Sequence, residues 1–160
     1  MIDIPEVLRR LAGAGVEFMV VGGVAAIAHG SARLTQDLDI VYRRTPDNLG
    51  RLVGALAPLA PYLRGAPAGL PFRWDEDTLR RGLNFTLTTS AGDLDVLGEV
   101  TGGGGFDHLL PRTGEVEAFG CRFRCVDLET LIRLKRAAGR PKHLEAMAEL
   151  ETLRDEAPPR

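Results

Sequence analysis

The chain has 160 residues, of which 44% are hydrophobic and 26% charged, and a formal net charge of −2. These proportions suit one folded domain, exclude a disordered chain, and provide no global basic field that would draw nucleic acid. The longest apolar stretches, near residues 16–28 and 52–60, are broken by Glu17, His29 and Pro58, well short of the roughly 20 residues a membrane span requires.

Asp3 and Glu6 precede the first arginine, unlike the basic start of a secretory leader, so a cytoplasmic protein with no membrane attachment is expected. Asp3, Pro5 and Glu6 supply an N-cap, a first-turn proline and a capping-box glutamate, and Val7, Leu8 and Leu11 share a stripe. This predicts a short helix closed by Gly13 and Gly15. Val16 to Val21 is apolar apart from Glu17, as in a strand covered on both faces, and Gly22-Gly23 then opens a small-residue helix from Val24 to Ala28. Residues 37–42 alternate acidic and apolar side chains, which predicts a half-covered strand with Asp37 and Asp39 on one face. Thr45-Pro46-Asp47 caps a helix with the stripe Leu49, Leu52, Val53 and Leu56.

The Pro-, Gly- and Ala-rich stretch from Pro58 to Pro71 reads as a loop, and a short helix from Asp75 to Arg81 follows. Residues 83–88 and 94–97 alternate around Ser90-Ala91-Gly92, which predicts a hairpin. Four glycines at 102–105 interrupt the chain before a helical piece at Phe106–Leu110. A strand at Arg122–Val126, a helix from Asp127 and a final helix after Pro141 complete the pattern. The expected architecture is a single α/β (α+β) domain over residues 1–160. A mixed, twisted sheet of about four or five strands lies at its centre, flanked by helices, with the C-terminal helices 127–156 packed on it. Cys121 and Cys125 fall on one strand, so their Cα atoms stand roughly 13 Å apart and both should be reduced.

Three signals carry chemistry: Gly22-Gly23 after a strand, Asp37-Leu38-Asp39 on the next strand, and Asp95 within Leu94-Asp95-Val96. Aspartates at i and i+2 share a strand face, and a strand paired about 4.8 Å away can add a third carboxylate. Asp95 is preferred to Asp93, which follows Gly92 at the turn, where Asp serves local geometry. Carboxylates this close repel by about 3 kcal/mol per pair at an effective dielectric of 20, a penalty that a divalent cation removes. Hard oxygen ligands of this kind suit Mg²⁺ or Mn²⁺. The glycine turn brings backbone N–H groups close enough for triphosphate oxygens, and two metals can activate a hydroxyl for attack on the α-phosphate, with Asp95 accepting its proton.

The ordered series Gly22-Gly23, Arg33-x-Thr35-x-Asp37-x-Asp39, Leu94-Asp95-Val96, Lys135 and Arg140-Pro141-Lys142 resembles the AbiEii-type nucleotidyltransferases of the polymerase-beta-like superfamily. The resemblance spans most of residues 16–150. It implies a nucleotidyltransferase-like fold and transfer of a nucleoside monophosphate from an NTP to a hydroxyl of a protein or RNA such as tRNA. It also implies a role in a bacterial toxin–antitoxin module with a protein partner. By the same likeness Asp37, Asp39 and Asp95 are catalytic and hold Mg²⁺ or Mn²⁺, Gly22 and Gly23 contact the phosphates, and Lys135 pairs with the triphosphate. Arg33 and Thr35 either contact the nucleotide or shape the entry to the strand. Where the family usually carries Asp, this chain has His143 and Ala146.

That departure keeps open a catalytically weak or inactive protein of the same fold, an antitoxin or a module that binds RNA or protein. Segment 122–143, with seven basic residues against Asp127 and Glu129, offers a local basic patch for triphosphate or RNA. The Asp37-Leu38-Asp39-Ile40-Val41 run also fits the start of a haloacid-dehalogenase-type phosphatase, but Ser31 to Gln36 is polar where that fold needs a hydrophobic strand. His29 reads as a helix-end residue, His108 and His143 lack acidic or cysteine partners at metal spacing, and none of the three is assigned a role.

Overall fold

Asp3, Asp75 and Asp127 each stand before a helix, and each carboxylate accepts a hydrogen bond from a first-turn backbone N–H, those of Glu6 (3.2 Å), Thr78 (2.8 Å) and Thr130 (2.7 Å). These contacts satisfy donors that a helix start leaves open. The helices they begin are α1 (Ile4–Gly13), α4 (Glu76–Arg81) and α6 (Leu128–Ala138), the last closed by Gly139 in the left-handed conformation. Glu6 turns its side chain to Arg10 at 2.7 Å instead of completing a capping box. Thr45 precedes α3 (Pro46–Leu56) as expected, although its hydroxyl makes no cap bond. The computed structural model describes residues 1–139 and 143–156, with backbone alone at 143–146. Arg140, Pro141, Lys142 and the side chains of His143 and Ala146 therefore lie outside the described residues.

The strands are β1 (Phe18–Val21), β2 (Asp37–Tyr42), β3 (Tyr62–Leu63), β4 (Asn84–Thr89), β5 (Gly92–Leu97), β8 (Thr113–Ala118) and β9 (Cys121–Val126). They form one seven-stranded sheet in the order β3-β4-β5-β2-β1-β9-β8. Two pairings, β1 with β9 and β2 with β5, are parallel, and the other four are antiparallel. The mixed α/β architecture is the expected one, but seven strands replace the four or five anticipated. One added strand, β3, lies inside the presumed 58–71 loop, where two residues are too few to show a period. Another, β8, alternates small and charged residues with little apolar signal. The glycine run at 102–105 also does more than interrupt the chain, because Gly104–Gly105 (β7) pairs antiparallel with Glu99–Val100 (β6).

All four residues of β1 are buried, as its unbroken apolar run predicts. In β2 the alternation holds: Leu38 and Ile40 are fully buried, while Asp37 and Asp39 remain partly accessible. The remaining helices are α2 (Gly22–Ala28), α5 (Phe106–Leu109) and α7 (His143–Glu156). Helix α2 packs on β1 and β2 and, with α7, against α6, while α1 packs on α3. Cys121 and Cys125 are both free, and burial pushes the Cys125 thiol up to about 12, which keeps it protonated. His29 ends α2 and its Nε2 sits 2.8 Å from the Val126 carbonyl oxygen, a structural role.

Asn48, completely buried on α3, ties the two central strands together. Its Nδ2 donates to the carbonyls of Glu17 (2.9 Å) and Arg43 (2.8 Å), and its Oδ1 accepts from the Glu17 N–H (2.7 Å). Asn48→Ala takes the partner from the Glu17 N–H and the Arg43 carbonyl, while the Glu17 carbonyl keeps its bond from the Arg43 N–H at 3.2 Å, so it should cost about 2 kcal/mol and lower the melting temperature by roughly 6 °C in thermal denaturation. A loss within 2 °C would show that water replaces the side chain.

Candidate active site: an acidic cluster facing paired glycines

The parallel register of β2 and β5 sets Asp37 opposite Asp93 and Asp39 opposite Asp95. Side chains one register step apart point to opposite faces, so all four carboxylates stand on the same face of the sheet. The ligand oxygens of Asp37, Asp39 and Asp95 lie within 4.8 Å of one another. Strand β1 pairs with β2 so that Val21 faces Asp39, and the chain then turns sharply at Gly22 with φ of +70°. A Cβ at Gly22 would overlap Asp39 Oδ2 and lie 2.9 Å from its Cγ, so only glycine allows the turn and the carboxylate to touch. A Cβ at Gly23 would meet Thr35 Oγ1 at 2.8 Å.

These residues border a cavity of about 420 Å³, within the size range of small-molecule sites. Gly22, Gly23, Thr35, the three aspartates and Lys135 bring polar groups to its lining, and Val21, Leu97, Val100, Leu131, Leu134 and Ala138 apolar ones. The polar groups suit phosphates and cations, and the apolar side chains a flat apolar surface such as a base.

Asp39 Oδ1 is buried and has no hydrogen-bond partner among the described residues. Burial pushes the Asp39 carboxyl up to about 8, assisted by hydrogen bonding to Asp95 and by the charges of Asp37 and Asp95, with Lys135 pulling the other way. Asp37 is also raised, first by burial and then by the charge of Asp95, against the opposing effects of Arg64 and the Thr35 hydroxyl. An orphaned oxygen on a carboxyl whose charged form burial and neighbouring carboxylates disfavour is what a divalent cation would relieve, and the oxygen-only donor set fits Mg²⁺ or Mn²⁺.

Thr35 donates to the Asp37 carbonyl at 3.0 Å and lies 3.4 Å from Asp37 Oδ1, which fixes the entry to β2. Arg33 does not line the main cavity. Its Nε is 3.9 Å from Glu149 on α7, and it borders an adjoining cavity of about 120 Å³ together with Gly23, Thr35 and Lys135. Lys135 borders both cavities. Among the described residues, the basic side chains of segment 122–143 border different cavities. Arg122 pairs with Glu117 at 2.6 Å and Arg136 with Glu151 at 3.1 Å. Arg122 and Arg124 border a separate cavity of about 360 Å³, and Arg133 another of about 380 Å³.

Sequence reasoning missed Arg64. It follows β3, and its Nη2 donates to Asp95 Oδ1 at 2.8 Å, while Asp93 and Asp37 stand 3.4 and 3.8 Å from its guanidinium. Nothing local marks it, because the proline- and glycine-rich surroundings read as loop and the contact depends on the β3–β4 pairing.

The mixed sheet and its flanking helices have the fold of several solved structures. Solved structures with this fold include a protein assigned as a nucleotidyltransferase from Thermotoga maritima, with 14% identity, a TM-score of 0.57, and coverage of 98% of this chain and 97% of that one. The antibiotic-resistance factor ANT(2″)-Ia in complex with adenylyl-2″-tobramycin is similar at 17% identity and a TM-score of 0.57, covering 95% of this chain and 92% of that one. Its solution structure aligns at 18% identity and the same TM-score, covering 95% of this chain and 87% of that one. No protein-family model and no curated protein sequence matches the chain. No described helix is long and apolar enough to cross a membrane, and residues 31–36 before Asp37 carry no strand.

Proposed function

We propose that this protein is a divalent-metal-dependent nucleotidyltransferase that moves a nucleoside monophosphate from an NTP to a hydroxyl acceptor. The observation that carries this reading is the clustering of Asp37, Asp39 and Asp95 within 4.8 Å around a buried, orphaned Asp39 oxygen, in a cavity they line together with Gly22 and Gly23. The adenylyl-tobramycin complex of a protein with the same fold supports it.

Asp37, Asp39 and Asp95 would hold Mg²⁺ or Mn²⁺, which when bound neutralises the cluster and the triphosphate and acidifies the acceptor hydroxyl. Gly22 and Gly23 give phosphates access to backbone, and Lys135 supplies a positive charge at the same wall. The acceptor oxygen forms a bond to the α-phosphorus, the bond to the β-phosphate bridge breaks, pyrophosphate departs, and Asp95 takes the hydroxyl proton. Arg33 and Thr35 shape the adjoining cavity and the entry to β2. The likeness of the ordered motifs to AbiEii-type proteins favours a protein or RNA acceptor such as tRNA, and a partner from a toxin–antitoxin pair in the cytoplasm. His143 and Ala146, where that family carries Asp, favour a second reading: a protein of this fold that binds nucleotide or a partner without turnover.

Incubation with α-labelled ATP, GTP, CTP and UTP, Mg²⁺ or Mn²⁺, and tRNA or protein acceptors separates the two. The expected result is label on an acceptor, lost in the Asp37→Ala plus Asp39→Ala variant. Binding of metal–NTP by isothermal titration with no label transferred supports the binding module, and neither binding nor transfer rejects both.

A further inference from the structure

Arg64 is anchored independently of the carboxylates. Its backbone N–H donates to the Thr86 carbonyl at 3.0 Å, and its Nε and Nη2 donate to the Leu87 carbonyl at 3.2 and 2.8 Å. From that hold one guanidinium reaches three of the four aspartates in the β2–β5 ladder: Asp95 at 2.8 Å, Asp93 at 3.4 Å and Asp37 at 3.8 Å. It reaches them from the β3–β4 side of the sheet, whereas Asp39 adjoins Gly22 on the β1 side and has no contact with it. The Arg64 side chain is 27% exposed, so its charge is screened less than that of a surface pair, and a guanidinium cannot shed its proton to escape a nearby cation.

A clip for β3 alone would need none of the carboxylate contacts, because β3 and β4 are already paired at Tyr62 with Thr88 and Leu63 with Leu87. We propose that Arg64 is a resident counter-ion of the acidic cluster: it balances Asp37, Asp93 and Asp95 in the absence of a divalent cation and competes with that cation for Asp95 and Asp37. This rests on the reading of the cluster as a divalent-ion site. Arg64 acts through the carboxylates and is a positioning residue. It holds one Asp95 oxygen at a set place and makes metal loading an exchange of a fixed charge for a mobile one, so the site stays intact when empty and does not bind the ion irreversibly.

Titration of the full chain with Mn²⁺ alone, followed by electron paramagnetic resonance of the free ion, tests the proposal without nucleotide or turnover. Arg64→Gln should bind Mn²⁺ about tenfold more tightly than wild type, because a unit positive charge a few ångströms from the ion is removed. It should also melt lower than wild type in metal-free buffer and recover the wild-type melting temperature when Mn²⁺ is added. A purely structural arginine predicts lower melting with and without Mn²⁺ and unchanged or weaker affinity, and that result overturns the proposal. If Arg64→Gln does not accumulate folded, Arg64→Lys carries the test. Its single ammonium reaches fewer carboxylates, so affinity should rise about threefold, and unchanged or weaker binding overturns the proposal. Wild type that binds Mn²⁺ while Arg64→Gln binds no better refutes only the role of Arg64. Absence of Mn²⁺ binding in both chains refutes the ion-site reading beneath it.

Discussion

Asp39→Asn is expected to lower nucleotidyl transfer by about 10³-fold or more, and to raise the melting temperature of the metal-free protein at pH 8. The first effect follows from removing a charged ligand at the proposed metal site, where charge stabilisation of several kcal/mol is at stake and each ~1.4 kcal/mol is tenfold in rate. The second follows from burial. The folded-state value of Asp39 is about 8 against an ordinary 3.8, so between these pH values the folded protein holds a proton that the unfolded chain releases. Stability therefore falls as pH rises through that window, and the loss is complete above the folded value. Shared with Asp95 and Asp37, the penalty is on the order of 2 kcal/mol, or about 5 °C in a domain of this size. Melting of metal-free wild type should accordingly drop by about 5 °C from pH 5 to pH 8, that of Asp39→Asn should change much less, and Mn²⁺ should restore wild type alone. Equal pH profiles for the two proteins would remove Asp39 as the source of the strain.

Gly22→Ala should destabilise the fold by about 3 kcal/mol and weaken Mn²⁺ binding at least tenfold, as read by thermal melting and ion titration. Two costs add at this position. The backbone is at φ +70°, which an L side chain adopts only with strain, and the new methyl overlaps the Asp39 carboxylate. Either the turn opens or Asp39 leaves its place in the cluster. Gly23→Ala is the matched control. Its φ lies outside the left-handed region, and its methyl meets Thr35 Oγ1 at 2.8 Å and Cβ at 3.0 Å, so Thr35 must shift by a few tenths of an ångström, at the cost of the 3.0 Å bond to the Asp37 carbonyl. That change should cost about 1 kcal/mol. Effects of similar size at the two glycines would refute the steric account of the Asp39–Gly22 contact.

Much of this geometry is legible in local pattern. Alternation over residues 37–42 and 94–97 states which side chains share a face, and the structure bears this out, with Leu38, Ile40, Leu94 and Val96 fully buried beneath the aspartates. Asp3, Asp75 and Asp127 announce their helices because a cap is a contact across three residues. Contacts made across long separations left no such signal. Ser31 donates to Glu149 and Arg33 turns toward the same carboxylate, which takes Arg33 away from the main cavity. Arg122, Arg124, Arg133 and Lys135 stand close in sequence yet border different cavities, because β9 carries the first two and α6 the others.

The sequence by itself determined the mixed α/β class, the caps, the buried central strand, and the faces on which Asp37, Asp39 and Asp95 stand, since each is a property of period and nearest neighbours. Only the tertiary structure decided that β5 lies parallel to β2 with Asp95 opposite Asp39, that Gly22 abuts that carboxylate, and that Arg64 enters the cluster from a two-residue strand. A period of two tells a side chain which face it occupies but not which strand lies beside it. That choice is made by burial of apolar surface summed over the whole sheet.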